Sequence, residues 1–488
     1  MVVAAFDPQQ FLYLAPEMFL AACALVVLMV GVLWKSFGDR ELAIVAAAVP
    51  LLTAAIVVRV HSQVPVRQVI LGGMFVLDGF SFFWKLLVLL ATTITILLSV
   101  RFVEEGRYRA AEYYSLILLA TTGMLFMASG YTLLTIWISL ETMALASYVL
   151  AGYFKREVRS NEAAMKYFIL GAMSSGVLLY GISLLYGATG TLQLDELSRA
   201  LAAASADGNR LVPLGWILLG AGLFFKVSAV PFHIWTPDVY VGAPTPVTGY
   251  LAVASKAASF AILVRIFFEG LGSLRPHWQL LMAAVAVATM VWGNLAALTQ
   301  DNVKRMLAYS SIAHAGYILI GVLAVNQMGL WAVLFYLLAY TFITLGAFGT
   351  VILLERKEYA GETCADYAGL ARRSPFLAAM MLIFMVALTG IPPTGGFVGK
   401  VYLFAAAVQA GWTWVAVVGV VTSAISLYYY FRIVVYMYQS DSTAVTPLPL
   451  RAPALVGAIA FCALATLVLG IYPAPFIAFA KQSLLPLP

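Results

Sequence analysis

Charge is scarce in this chain. Charged residues make up 10% of the 488 residues and hydrophobic ones 63%, where a soluble domain carries about 25% and about 45–50%. With a mean hydropathy of +0.96, there is too little polar surface to cover a water-soluble core, which excludes a soluble enzyme and equally a disordered or fibrous protein. Cysteine is nearly absent: Cys23, Cys364 and Cys462 lie far apart without CxxC spacing. That excludes an iron–sulfur cluster, a zinc knuckle or a disulfide framework built by this chain alone. No GxGxxG fingerprint opens a helix. The stretch Gly395–Lys400 resembles a phosphate loop only superficially, since Thr394 stands where the first glycine belongs and Val401 follows the lysine. No His or Cys pair has haem or metal spacing, so the chain is expected to hold no cofactor and no metal of its own. The N-terminus lacks a basic segment and its first apolar run, Phe11 to Trp34, is too long for a cleavable signal peptide.

What is present is long apolar runs, too continuous for the alternating segments of about ten residues that a membrane β-barrel needs. The expected fold class is therefore all-α and polytopic, a single transmembrane domain over 1–488. A span takes about 20 apolar residues. On that rule fourteen segments begin near Phe11, Glu41, Met74, Glu112, Tyr131, Glu162, Leu211, Val247, Pro276, Asn302, Asn326, Ser374, Trp412 and Pro453, and the merging flanks of the eleventh and thirteenth leave thirteen or fifteen open. The longest polar loops are Ala188–Arg210 and Glu355–Ser374. The net charge of +6 reads as loop topology and not as nucleic-acid binding. The loops after segments 1, 3, 5, 9, 11 and 13 carry 15 Lys and Arg (Lys35 and Arg40 through Arg372, Arg373 and Arg451) against 5 in the alternate loops and tail (Arg67, Arg199, Arg210, Arg275, Lys481). The first set should face the cytoplasm, which puts both termini outside.

Segments 7 and 12 are each interrupted by proline, at Pro231 in LFFKVSAVPFHIWTPDVYVGAPTPV and at Pro392 and Pro393 in ALTGIPPTGGFVGKVYLF. Similar offsets separate the two breaks and the segments around them, which suggests two five-helix units, 112–270 and 276–440, each with its fourth helix broken. An odd number of spans inverts the second unit, and inverted repeats with broken helices are a transporter signature. The bland alternative is two unrelated proline kinks, which membrane helices tolerate.

Charge near the bilayer centre costs at least about 2.5–3.5 kcal/mol, and four such residues stand out: Glu141 in segment 5, Lys226 in segment 7, Lys256 in segment 8 and Lys400 in segment 12. Burial penalises a charged lysine and a nearby carboxylate restores it, so a lysine between the two can exchange a proton near neutral pH. Glu141 with Lys226 is the natural switchable pair, and Lys256 and Lys400 would extend a chain across the interior. The competing reading is static ion pairs or snorkelling lysines. It is preferred for Lys85, whose stem could reach a headgroup, and for Lys166, four residues after Glu162 on a helix. His61 and His277 fall at segment ends, whereas His233 just after the first break and His314 in MLAYSSIAHAGYILIG could relay protons, with Ser310 and Ser311 lining the way.

The motifs KVSAVPFHIWTPDVYVGAPTPVTGYLAVASKAASFA, DNVKRMLAYSSIAHAGYILIG and LTGIPPTGGFVGKVYLF resemble the antiporter-like membrane subunits of respiratory complex I, over essentially the whole chain. The first and third look most like the subunit N family of the bacterial proton-translocating NADH-quinone oxidoreductase, equivalent to mitochondrial subunit 2. The sister subunit M carries a glutamate at the position of Lys400, and the sister subunit L is longer. The resemblance implies a fourteen-helix fold with inverted five-helix repeats. It matches Glu141, Lys226, Lys256 and Lys400 to the family's span-5 glutamate and its span-7, span-8 and span-12 lysines. It also implies a translocase subunit in the bacterial inner membrane that moves protons, driven by quinone reduction elsewhere. NADH, FMN, iron–sulfur clusters and the quinone would belong to partner subunits, and other membrane subunits, including sister antiporter-like ones, would pack beside it. A multisubunit cation/proton antiporter and an energy-converting hydrogenase share the superfamily and stand as alternatives. A purely structural membrane scaffold is disfavoured by four mid-span charges and two broken helices.

Overall fold

The structure is a computed structural model that describes residues 8–34, 37–64, 66–106, 109–355, 361–439 and 452–487. Of the loop residues weighed above, Lys35, Arg107, Arg356, Lys357 and Arg451 lie outside the described residues.

The chain is almost wholly helical. α1 (Ala15–Leu33), α2 (Asp39–Gln63), α3 (Gly79–Gly106), α4 (Ala110–Ser129), α5 (Leu133–Ala151) and α6 (Val158–Thr189) follow one another, with a short antiparallel hairpin of β1 (Gln68–Ile70) and β2 (Phe75–Leu77) between α2 and α3. Next come α7 (Leu194–Ala206), α8 (Leu211–Lys226) and α9 (Trp235–Gly242). One continuous rod then contains α10 (Thr245–Tyr250), a π-helical turn at Leu251–Ser255, α11 (Lys256–Arg265) and a second π-helical turn at Ile266–Gly270. The remainder is α12 (Arg275–Leu298), α13 (Val303–Ala324), α14 (Gln327–Leu354), α15 (Leu370–Arg373), α16 (Pro375–Thr389), α17 (Gly395–Gln409), α18 (Thr413–Gln439), α19 (Pro453–Ile471) and α20 (Ala474–Gln482).

Among the described residues twelve helices are long and apolar enough to cross a membrane. They coincide with twelve of the fourteen apolar segments; segments 7 and 12 are instead the shorter helices α8 and α16, each followed by a break and a second helix. Helix starts obey local chemistry: Thr132, Asn302 and Asn326 each accept a backbone N–H from three residues on, satisfying donors the helix leaves free. The polar stretch at 188–210, expected to be a loop, contains α7. Leu194, Leu197 and Leu201 recur at helical spacing and are buried, while Asp195 and Glu196 are exposed on the other side.

The rod from Thr245 to Gly270 is buried on nearly every side, as are α13 and α14, and these form the centre. Around them, α1, α6 and α18 show outward stripes of exposed Leu, Val, Ile, Met and Phe, the surface expected to meet lipid. The basic loops gather at one end. Arg159 pairs with Glu362 at 3.6 Å, Lys304 with Glu355 at 3.9 Å and Arg432 with Asp301 at 3.5 Å. At the other end Gln10 Oε1 accepts from Leu71 N and Arg67 pairs with Glu269, so the first described residues share that end with the hairpin.

Candidate functional site

Both breaks begin where a helix runs out of backbone partners. α8 ends at Lys226, five residues before Pro231, and the freed groups around the turn find other donors and acceptors. Val230 N donates to Thr289 Oγ1 at 2.9 Å, Trp235 Nε1 donates to the Phe225 carbonyl at 3.1 Å, and Thr236 Oγ1 donates to Ser228 Oγ at 2.9 Å. This is how irregular backbone survives at membrane depth. α16 ends at Thr389, and its last carbonyls are met by Lys400 from the next half-helix: Nζ donates to Leu388 O at 2.8 Å, Thr389 O at 2.9 Å and Ser423 Oγ at 2.9 Å. Gly390 (φ 86°) permits the contact, since a Cβ there would meet Lys400 Cδ at 2.9 Å. Lys226 sits on the first half-helix and Lys400 on the second, yet both ammonium groups lie at the carbonyl end of a first half-helix, where the helix dipole favours a cation.

Lys226 is 6% exposed and its Nζ has no hydrogen-bond partner. The Tyr148 and Phe225 ring centroids each lie 6.0 Å from it. Glu141 and Lys226 therefore form no contact ion pair. The Glu141 carboxylate accepts from Ser175 Oγ, which itself accepts from Trp137 Nε1. Tyr148 and Tyr167 stack edge-on at 4.7 Å, and Tyr167 is within reach of Ser255, the residue before Lys256.

Lys256 follows the first π-helical turn. Its Nζ donates to the Ser311 carbonyl at 2.7 Å and to Ser311 Oγ. The neighbouring Ser310 hydroxyl meets Tyr430, whose hydroxyl lies 3.0 Å from His314 Nε2, while His314 Nδ1 meets the Tyr336 hydroxyl at 2.5 Å. The Tyr317 ring fills the remaining step, with its centroid 4.9 Å from Lys400 Nζ and 5.6 Å from the His314 ring. Ser310, Ser311, His314, Tyr317, Tyr336 and Tyr430 thus stand between Lys256 and Lys400. His233 lies apart, in the first turn, with Nδ1 unpartnered and its ring 6.1 Å from that of Trp292.

Lys85 forms a static ion pair and is not a headgroup-seeking lysine, and the charges singled out from sequence do not include Glu17, Asp78, Glu269 or Arg265. Lys85 is 4% exposed and does not snorkel; it pairs at 2.6 Å with Glu17, which is fully buried in the first turn of α1. Arg265, fully buried on α11, forks onto both Asp78 oxygens at 2.9 and 3.0 Å and reaches Glu269 at 3.2 Å. Burial works against the Asp78 charge, but Arg265 outweighs it by charge and hydrogen bond, aided by Ser81 and Arg67, so this carboxyl stays below its usual range. The Arg265 signal was present, an arginine inside the apolar run AILVRIFF. Lys166 pairs with Glu162 as its spacing predicts, and also with Asp238, both at 2.7 Å.

A family profile described as NADH:quinone oxidoreductase/Mrp antiporter, TM, matches residues 130–426. NADH-quinone oxidoreductase subunit N 2 of Rhizobium meliloti (strain 1021) is 44% identical over 96% of each chain. The subunit N 2 of Solibacter usitatus (strain Ellin6076) is 47% identical over 85% of this chain and 84% of its own. The chain belongs to the NADH-quinone oxidoreductase subunit N family. Among solved structures, a chain of respiratory complex I from Thermus thermophilus with bound aureothin superposes with TM-score 0.79 at 33% identity, covering 95% of this chain and 98% of that one. A chain of the Mrp complex from Dietzia sp. DQ12-45-1b gives TM-score 0.82 at 26% identity over 97% of each. The region that the profile matches includes Glu141, Lys226, His233, Lys256, His314 and Lys400, and leaves the Glu17–Lys85 pair outside it. The donor set for a metal does not fit: the three cysteines are free, and no cluster of three or more His, Cys, Asp or Glu able to hold an ion occurs among the described residues.

Proposed function

We propose that this subunit N homologue translocates protons along Glu141, Lys226, Lys256, His314 and Lys400. The observation that carries this reading is the set of polar side chains between Lys256 and Lys400: Ser311 on the Lys256 ammonium, Ser310 and His314 on the Tyr430 hydroxyl, and the Tyr317 ring beside Lys400. In this reading α8 with α9 and α16 with α17 are the seventh and twelfth of fourteen spans. Residues 112–270 and 276–440 are inverted five-helix units, and both termini face the outside of a bacterial inner membrane. The basic end of the bundle supports that orientation.

A proton on Lys226 is stabilised while Glu141 is ionised nearby; withdrawal of that negative charge leaves a buried ammonium uncompensated and drives the proton onward. Tyr148, Tyr167 and Ser255 between Lys226 and Lys256, and His314 with the Tyr336 and Tyr430 hydroxyls between Lys256 and Lys400, carry exchangeable protons. His233 stands at the first break as a candidate relay toward the surface. NADH, FMN, iron–sulfur clusters and quinone belong to partner subunits in this scheme, and quinone reduction there supplies the drive. Kinship with subunit N chains at 44–47% identity favours this over a cation/proton antiporter subunit or a hydrogenase subunit. The test is proton uptake coupled to quinone reduction in vesicles carrying the whole complex. Assembled Glu141→Gln and Lys256→Met variants should lose coupled uptake, and wild-type uptake in both would refute the path.

A further inference from the structure

We propose that the cleft between the N-terminal ends of α12 and α14 and the C-terminal end of α20 binds the phosphodiester headgroup of an anionic membrane lipid. The cleft has a volume of about 760 Å³, and Arg275, Asn326, Gln327, Trp331, Gln409 and Lys481 are among the residues that line it. That volume falls within the roughly 300–1,000 Å³ of small-ligand sites. Its depth follows from its lining: Arg275 and Gln327 open their helices, Gln409 closes α17 and Lys481 lies in the last turn of α20. All four are at helix ends, the level at which headgroups lie.

The charge there is of one sign. No carboxylate lines the cleft, and among the described residues neither Arg275 nor Lys481 has an acidic partner. Two other basic side chains at this end of the bundle are closely paired, Arg67 with Glu269 at 2.6 Å and Arg265 with Asp78 at 2.9 Å. Arg275 also stands at the positive end of a helix dipole, a placement that disfavours a cation and that a bound anion would correct. Lys481 is held over the Trp331 ring, 5.2 Å from its centroid, instead of extending freely into water. Two cations facing one cavity suit a phosphate group. Trp331, Met328 and Leu484 give the same cleft an apolar side, which suits a headgroup that carries acyl chains better than a free anion.

The test uses the complete complex, reconstituted in nanodiscs of phosphatidylcholine doped with a fluorescent phosphatidylglycerol. Energy transfer from the protein's tryptophans reports the bound fraction, with the Arg275→Gln/Lys481→Gln variant as comparison. The double variant should bind this lipid about 30-fold more weakly, about fivefold for each lost charge. Raising the salt should weaken the wild-type complex more than the variant. Should the variant fail to assemble, Arg275→Lys and Lys481→Arg, which keep the charges, are expected to retain wild-type affinity. Equal phosphatidylglycerol affinity in wild type and double variant overturns the proposal. So does displacement of the lipid by millimolar inorganic phosphate, which would make this a site for a soluble anion.

Discussion

Replacement of Lys400 separates a proton carrier from a helix cap, because the structure gives it both chemistries. Its ammonium holds the last two carbonyls of α16 and the Ser423 hydroxyl. In Lys400→Ala, Ser423 Oγ still donates to Thr389 O at 3.1 Å, so Leu388 O alone is orphaned. An unsatisfied buried carbonyl costs about 1–3 kcal/mol, and the lost methylenes cost about 2 kcal/mol more. Against this, a buried ammonium no longer has to be held out of water, which is worth several kcal/mol. The opposing terms nearly cancel, and we expect the variant to assemble with thermal stability changed by no more than about 2 kcal/mol. Lys400→Arg keeps the charge and the donors but cannot release a proton in a protein. Both variants should therefore support assembly and lose proton uptake coupled to quinone reduction, measured in vesicles with subunit content checked separately. Wild-type coupling in an assembled Lys400→Ala complex would refute Lys400 as a carrier. An arginine variant that pumps normally, beside an alanine variant that never assembles, would reduce Lys400 to a cap.

Three further outcomes follow from the geometry. Tyr430→Phe removes the hydroxyl shared by Ser310 and His314 and should slow coupled proton uptake severalfold, while costing only about 1 kcal/mol of stability as read by thermal melting in detergent. Lys85→Ala leaves Glu17 buried without its partner and should destabilise the complex by about 3–5 kcal/mol, whereas Glu17→Leu combined with Lys85→Leu should recover most of that loss in the same melt. Burial, reinforced by Glu355 and opposed by Lys304, Arg159 and Asn302, lifts the Glu362 carboxyl above its ordinary 4.5. A carboxyl raised by folding adds stability below its unfolded value and loses it as pH rises through the folded one. Protection of residues 361–374 from protease should therefore fall as pH rises through the range just above 4.5, and Glu362→Gln should abolish that slope.

The span positions, both broken helices and the mid-span lysines were legible because each departs from a simple physical rule. Apolar runs end where charge begins, proline cannot donate, and charge in hydrocarbon demands a reason. What was not legible depends on contacts across the chain. Nothing local tells that Lys85 meets Glu17 at a separation of 68 residues, or that Arg265 meets Asp78 at 187. Lys85 looked like an interfacial lysine because its stem is long; only the Glu17 carboxylate on α1 shows where the stem goes. The tyrosines were invisible for another reason. The chain has 25 of them, and a tyrosine in a membrane helix is ordinary until its hydroxyl is seen to face a histidine. The early end of α8 at Lys226 was hidden because Val227 to Val230 are compatible with continued helix, and the reversal at Ser228, with φ 63°, is not encoded by a glycine.

The two π-helical turns that bracket α11 carry a mechanical consequence. Each stores one residue more than an α-helical turn can hold, and the ten residues between them form one uninterrupted α-helical segment. If the surplus residue at Leu251–Ser255 were passed along the rod, that unit would swing by about 100°, the angle between successive residues. The swing would lift Lys256 from Ser311 and, in the same stroke, pull Arg265 from Asp78. The lysine at the centre of the bundle and the salt bridge at its end are thus carried by one helical segment.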